Sequence, residues 1–305
     1  MENLWTLVWD DGEHHIPLGL IQQETLTKLI KTPTSVKGEM EIRRNAREVL
    51  IFNQATEKER SAKVAATTKY WRENKLFRIL EGWRDELYPV YGPDNKLLYS
   101  VERTSAALFG IPSYGCHMTA YVKDSSATHG IKFWIPRRSR TKMTWAGRLD
   151  NTVAGGMATG EVPLECIIRE AAEEASLPDD VVRPNIKAAG TVTYIYFRNE
   201  ESTGELGLLV PEVEYVFDLE LPADVVPKPC DSEVECFYLL TVEEVKEAMA
   251  DGEFKPNCAV VLLEFFIRHG ILKKEDEPDF DEIKRRMHRP LPFPGPHGAR
   301  ALKLE

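Results

Sequence analysis

Residues 155–177 read GGMATGEVPLECIIREAAEEASL, and the spacing within this stretch governs how the rest of the chain is read. Pro163 suits the first turn of a helix, where its missing N–H would have had no intrahelical partner. The helix is expected to run to about Ser176. Leu164, Ile167, Ile168, Ala171 and Ala175 recur at three- and four-residue intervals, an apolar stripe that should face a sheet. Glu170, Glu173 and Glu174 stand at i, i+3 and i+4 and share a different side. Like charges at this spacing repel by a few tenths of a kcal/mol, roughly, per exposed pair, and by more when desolvated. A divalent cation offsets that repulsion. Mg²⁺ (or Mn²⁺) suits carboxylates, keeps several waters and binds phosphate oxygens.

Working outward, the preceding loop 141–162 is rich in glycine and alanine, and Arg137, Arg138, Arg140 and Lys142 cluster at its start. Such a cluster in an acidic chain reads as a phosphate-facing patch. Further upstream, 117–122 and 131–139 have strand patterns. Downstream, strands are expected at 191–199, 212–221 and 234–240, and helices at 241–252 and 256–270, each ending in glycine. This is a mixed sheet with helices on its faces. Residues 1–115 form a smaller α+β unit, with helices at 20–31, 61–73 and 75–86, then strand, turn, strand and a short helix. Residues 116–272 form the second unit. Residues 273–305 are a charged and then proline-rich arm, RPLPFPGPHG at 289–298, in which proline forbids regular structure. We expect it to be loosely packed; a substrate lid or dimer clasp is the alternative.

The 305 residues are 43% hydrophobic and 29% charged, enough for a sizeable core. The formal charge of −10 argues against a general nucleic-acid binder but not against a small phosphorylated ligand. The five cysteines include no CxxC pair and are expected as free thiols in a reducing compartment. The N-terminus lacks a secretory or transit pattern, and no run is long and apolar enough for a membrane helix. The expected location is the cytoplasm, or the nucleus as well.

Gly155, Glu161, Arg169, Glu170, Glu173, Glu174 and Leu177 fit the pattern G-x5-E-x7-R-E-U-x-E-E-x-G-U, where U is aliphatic. The chain therefore resembles the Nudix hydrolases. Ala171 is a small occupant of a U position, and Ser176 replaces the final glycine, where a left-handed helix end is common. The resemblance implies an α/β/α sandwich with a mixed sheet, hence an α+β class, preceded here by the smaller α+β domain. It implies Glu170, Glu173 and Glu174 as metal ligands, Arg169 orienting them, Glu161 supporting the turn, and Gly155 and Gly156 letting the loop pass close beneath the metal and substrate. Glu173 and Glu174 would act in catalysis. A further glutamate outside the box, as base or ligand, is expected at Glu233, with Glu214 and Glu235 as alternates.

FWIPRRSRTKMTWAGRLDNTVAGG (133–156), GEFKPNCAVVLLEFFIRHG (252–270) and LYSVERTSAALFGI (98–111) are similar to one branch of the family, the fungal and plant proteins related to thiamine pyrophosphokinase. That likeness implies a diphosphatase acting on thiamine diphosphate or its oxidised, damaged forms. Phe133, Trp134 and Trp145 lie near the basic cluster and could stack on a heterocycle. The alternatives are a hydrolase of another nucleoside diphosphate derivative, an isomerase using Cys116 and His117, and a non-enzymatic scaffold. The expected partner is a small diphosphate, with neither nucleic acid nor membrane, for a monomer or homodimer. Residues 1–115 are expected to cover one side of the pocket.

Overall fold

The computed structural model describes residues 4–297. The chain opens with β1 (Leu4–Asp10), β2 (His15–Gln22), β3 (Met40–Arg43) and β4 (Glu48–Ile51), ordered β2-β1-β4-β3. Helices α1 (Gln23–Lys31), α2 (Thr34–Lys37) and α3 (Glu57–Glu73) accompany this sheet. The Thr56 hydroxyl and the Glu59 carboxylate form a capping box that starts α3. A hairpin of β5 (Leu87–Tyr91) and β6 (Leu97–Glu102) and a short α4 (Ala106–Phe109) follow. Leu7, Ile21, Phe52, Trp71 and Phe109 are central to this unit's core.

The helix expected at 75–86 does not form. Only a 3₁₀ turn, Arg78–Gly82, is present, flanked by Lys75 and Asp85 in the left-handed region. Ile79 and Leu80 are buried as the periodicity required. However, the backbone N–H groups of Arg78 and Ile79 donate to the Glu205 carboxylate at 2.5 and 3.0 Å, a partner more than 120 residues away that local spacing cannot reveal.

The second sheet contains β7 (Ser113–Lys123), β8 (Ile131–Arg138), β9 (Val153–Gly156), β10 (Ile186–Phe197), β11 (Leu209–Glu220) and β12 (Val234–Thr241). Its order is β10-β11-β7-β8-β12, with β9 also paired to β7. The β11–β7 pair is parallel and the others antiparallel, so the sheet is mixed, as expected. Helices α5 (Pro163–Ala175), α6 (Asp179–Val182), α7 (Val242–Ala250), α8 (Pro256–Arg268) and α9 (Phe280–Met287) complete it. Side chains alternate across the sheet. Cys116, Met118, Ala120 and Phe217 pack with Ile167, Ile168 and Ala171 of α5, while Phe133 and Ile135 pack with Val245, Leu262 and Phe265 of α7 and α8. The result is an α/β/α sandwich.

Two differences bear on the site. The boundary expected at residue 115 falls inside β7, and the supposed loop 141–162 contains β9, whose Gly155 and Gly156 pair with Cys116 and Gly115. The arm from 273 is also not loosely packed. It contains α9, buries Met287 and Phe293, and exchanges backbone and hydroxyl bonds between Arg289 and Thr193. The Tyr215 hydroxyl donates to the Pro296 carbonyl at 2.5 Å. Sheet residues therefore satisfy polar groups that the prolines leave open. Gly298, the last residue of the proline-rich run, lies outside the described residues. Among the described residues, no helix is long and apolar enough to cross a membrane.

Candidate active site

Helix α5 presents its glutamates to a cavity of about 1480 Å³ between the two units. Ser176, which caps the helix C-terminus, takes the left-handed conformation, φ 53°, that glycine would adopt there, at a cost of about 1 kcal/mol. The Leu177 N–H donates to the Ala171 carbonyl at 3.0 Å, closing the helix end despite the substitution. Arg169 organises the acidic side. Its Nε donates to Glu161 Oε1 at 2.9 Å, and its Nη1 to Glu170 Oε1 at 2.8 Å and Glu173 Oε2 at 3.0 Å. Glu161 in turn accepts from the Ala158 N–H at 3.1 Å, holding the turn before α5. Glu174 is buried, and its Oε2 accepts from the Ala154 N–H at 3.1 Å.

The electrostatics show a deficit of positive charge. Burial, then Asp150, pushes the Glu174 carboxyl up to about 8, with Glu170 and Glu233 adding to the rise. Burial also raises Glu170, against the pull of Arg169. Burial opposes ionisation of Glu161 too, but Arg169 and the Ala158 N–H outweigh it and hold that carboxyl low. Crowded oxygen donors, two of them short of counter-charge, are a donor set that fits a hard divalent cation. Gly155 is required by the same crowding, because a Cβ there would lie under 3.0 Å from Glu170.

The sheet contributes a second polar group that sequence reading largely missed. The Tyr194 hydroxyl lies within hydrogen-bond distance of both Glu212 Oε2, at 2.5 Å, and Glu214 Oε1, at 2.9 Å, and can donate to one of them at a time. His117 stands 3.5 Å from Glu214 Oε2 and 2.7 Å from Asn151 Oδ1. Arg138 and the Cys258 thiol both donate to Asp150 at 2.6 Å. The donor atoms of His117, Asp150 and Cys258 lie within 4.8 Å of one another. Here Lys255 and then Arg138 balance the Asp150 charge and, despite its burial, hold it well below its ordinary range, whereas on α5 a single Arg169 is shared among Glu161, Glu170 and Glu173.

The expected substrate contacts divide. Arg138, Lys142, Gly155 and Gly156 line the cavity with Glu233, and Lys142 is ion-paired to Glu233. Arg138 is committed to Asp150 and to the Trp145 and Thr144 carbonyls. Arg137, its neighbour on β8, faces the other way, as strand geometry demands, and binds the Gly147 carbonyl and Glu253. Arg140 is largely exposed, 3.8 Å from Glu235, and neither lines the cavity. Glu214 does line it. Trp145 is on the cavity wall, whereas Trp134 and Phe133 are core residues on opposite faces of β8. Cys116 and His117 likewise point to opposite faces: Cys116 packs against α5, and only His117 reaches the cavity.

Two stretches of the chain match known domain families. Residues 120–258 match the NUDIX domain, and residues 16–113 match a domain of unknown function, DUF4743. The chain is 44% identical over 230 residues to an uncharacterized protein of Saccharomyces cerevisiae, YJR142W, covering 74% of this chain and 66% of that one. It is 36% identical over 217 residues to Nudix hydrolase 20, chloroplastic, of Arabidopsis thaliana, covering 69% of this chain and 54% of the relative. The chain thus spans roughly half to two thirds of the length of these relatives. Among solved structures, DR0079 from Deinococcus radiodurans matches with a TM-score of 0.41 and 22% identity, over 67% of this chain and 100% of that one. The acidic helix, the sandwich around it and the domain matches together identify the chain as a Nudix-domain protein with a DUF4743 domain in front.

Proposed function

We propose that this protein hydrolyses a diphosphate linkage in a small organic molecule, with Mg²⁺ or Mn²⁺ held by Glu170, Glu173 and Glu174. The observation that carries the reading is the under-neutralised glutamate cluster on the wall of a large cavity. A bound divalent ion supplies charge neutralisation at the diphosphate and acidifies a water. The chain's own groups do the positioning: Arg169 fixes the directions of Glu170 and Glu173, and the Ala154 N–H fixes Glu174. Glu233, which Lys142 keeps ionised against the effect of burial, faces the cavity as a proton acceptor.

The branch resemblance supports thiamine diphosphate or its oxidised forms as substrate, and Trp145, Tyr196 and Phe197 on the cavity wall provide aromatic faces for a heterocycle. The volume favours a second reading, a dinucleotide or nucleotide sugar. At about 1480 Å³ the cavity exceeds the ~300–1,000 Å³ usual for small-ligand sites. The five cysteines are free, which suits a reducing compartment such as the cytosol, although the plant relative's name places it in the chloroplast.

The test is release of phosphate or monophosphate from thiamine diphosphate, its oxidised analogues, a dinucleotide and a nucleotide sugar, with Mg²⁺ or Mn²⁺. One class should turn over, and Glu173→Gln should lower kcat/KM by about 100-fold or more, equivalent to about 2.7 kcal/mol of barrier. Equal activity in both proteins refutes the site; no turnover of any diphosphate refutes the function.

A further inference from the structure

The DUF4743 domain supplies part of the cavity wall beside β9, and two of its side chains there have donors that no protein group accepts among the described residues. Tyr88, on β5, is only 5% exposed, and its hydroxyl sits so close over Gly156 of β9 that a Cβ at that position would overlap it. Among the described residues this hydroxyl has no hydrogen-bond partner, yet Tyr88 lines the cavity. Burial holds the phenol well above its ordinary range, so it remains an O–H donor at any working pH.

Arg103, just after β6, lies over the Tyr88 ring at 5.4 Å. Its Cζ is 3.3 Å from the place a Gly156 Cβ would occupy. Only Nη1 is engaged, donating to Glu86 Oε2 at 2.8 Å. Nε and Nη2 have no hydrogen-bond acceptor among the described residues. The Tyr88 hydroxyl and half of the partly exposed Arg103 guanidinium face the cavity without a protein acceptor among the described residues, and are free to donate to a ligand. Glu170 lies over Gly155 and the Tyr88–Arg103 pair over Gly156, the next residue of β9, so both can reach one substrate in the cavity.

We propose that Tyr88 and Arg103 bind non-bridging oxygens of the substrate's diphosphate, so that the DUF4743 domain completes the Nudix site with a phosphate clamp. This deepens the hydrolase reading and rests on it. A guanidinium with two free N–H edges matches phosphate geometry, and the phenol adds a single directed donor. The clamp would supply positive charge and a hydroxyl beside the glutamates, which repel a diphosphate unless a cation intervenes. Groups from both domains must therefore be engaged at once, which makes binding depend on both.

Methylenediphosphonate, a diphosphate whose P–C–P link cannot be hydrolysed, is the probe, titrated calorimetrically into the full chain with Mg²⁺ present. Tyr88→Phe and Arg103→Gln should each weaken its binding about tenfold or more, the effect of losing a hydrogen bond to a charged acceptor. Tyr88→Phe should leave Mn²⁺ affinity unchanged, and Arg103→Gln, which removes a positive charge beside Glu170, should not lower it. Glu86→Gln, which breaks the ion pair but keeps Arg103, should retain probe affinity to within about threefold. Unchanged affinity in both clamp variants, with thermal unfolding like that of the native chain, overturns the proposal. So does a Glu86→Gln loss equal to that of Arg103→Gln, because Arg103 would then serve only to hold Glu86. The two readings fail separately. A probe that binds through the clamp to a chain that hydrolyses no diphosphate sinks the function and spares the clamp. Turnover intact in Arg103→Gln but lost in Glu173→Gln does the reverse.

Discussion

Gly155→Ala isolates how closely Glu170 must be held. The added methyl would lie under 3.0 Å from the side chain of Glu170, whereas ordinary contact begins near 3.4 Å, so the carboxylate must retreat by about 1 Å at least. The backbone is not the obstacle. Gly155 does not have a positive φ, and alanine in a compatible conformation gains about 0.4–1 kcal/mol by restricting the unfolded chain. Against that stands overpacking, about 1–3 kcal/mol, including strain on the 2.8 Å bond from Arg169. The expected net loss of stability is therefore modest, about 1–2 kcal/mol. The functional loss should be larger, since a 1 Å displacement of a positioned group costs about 100-fold. Urea unfolding, Mn²⁺ titration and kcat/KM on the turned-over substrate separate the two effects. Gly130→Ala is the control. Gly130 has φ +71° and open space around it, so it should lose about 1 kcal/mol from strain alone and keep Mn²⁺ affinity. If Gly155→Ala binds Mn²⁺ and turns over substrate like the native chain, Glu170 is not a ligand in this arrangement.

The His117 imidazole is buried, which opposes its charge, but Glu214 and its other neighbours raise its pKa well above the ordinary value. Stability from the charged His117 is therefore complete below about 6.5 and is lost only as pH rises through the higher folded value. Glu214, held low by His117 against burial, sets the opposite limit, its contribution fading as pH falls below about 4.5. A ring-proton NMR titration should find His117 still charged at neutral pH; a midpoint near the ordinary value rejects the pair. Ile167→Ala, at a fully buried position between α5 and the sheet, should cost about 2–5 kcal/mol in urea unfolding; a loss under about 1 kcal/mol would mean α5 is not packed as described. Arg137→Ala should leave kcat/KM within about twofold because its guanidinium points away from the cavity. Arg138→Ala should destabilise the fold by about 1.5–3 kcal/mol through the lost charge-assisted hydrogen bond to Asp150, with Lys255 and the Cys258 thiol still facing that carboxylate. Equal effects of the two substitutions on turnover contradict the strand orientation.

The acidic helix was legible because several constraints coincide in one short stretch: a proline at the first turn, an apolar stripe, and glutamates offset from it. The two sheets were harder. β9 reads VAGG, which has almost no strand preference, and exists because Gly115 and Gly156 pair where side chains from elsewhere occupy the space above them. Glu212 and Glu214 alternate with Val213 and Tyr215, a pattern that normally marks a solvent-facing side. The structure buries that side against Tyr194 and His117, and no local signal distinguishes a buried polar face from a wet one. The basic cluster was legible further than it was read. Arg137 and Arg138 are consecutive on a strand, so at most one of them could face the site.

The relation between the two domains follows from where their cores meet. Leu208 and Val210, which precede and begin β11, are buried in the first domain's core, and Tyr196 of β10 packs against it. Tyr194, two residues along the same strand, reaches Glu212 and Glu214 on the cavity wall. The same strand pair is thus gripped by one domain and lines the pocket with the other. The first domain cannot behave as a detachable lid. Removing it would expose Leu208 and Val210, about 1.5–3 kcal/mol of burial for each side chain, and would loosen the strands that carry the buried glutamates. A truncated chain that lost activity would therefore say nothing about Tyr88 or Arg103. Only substitutions that keep the shared core intact can distinguish a domain that contributes ligands to the diphosphate from one that merely holds the sheet in place.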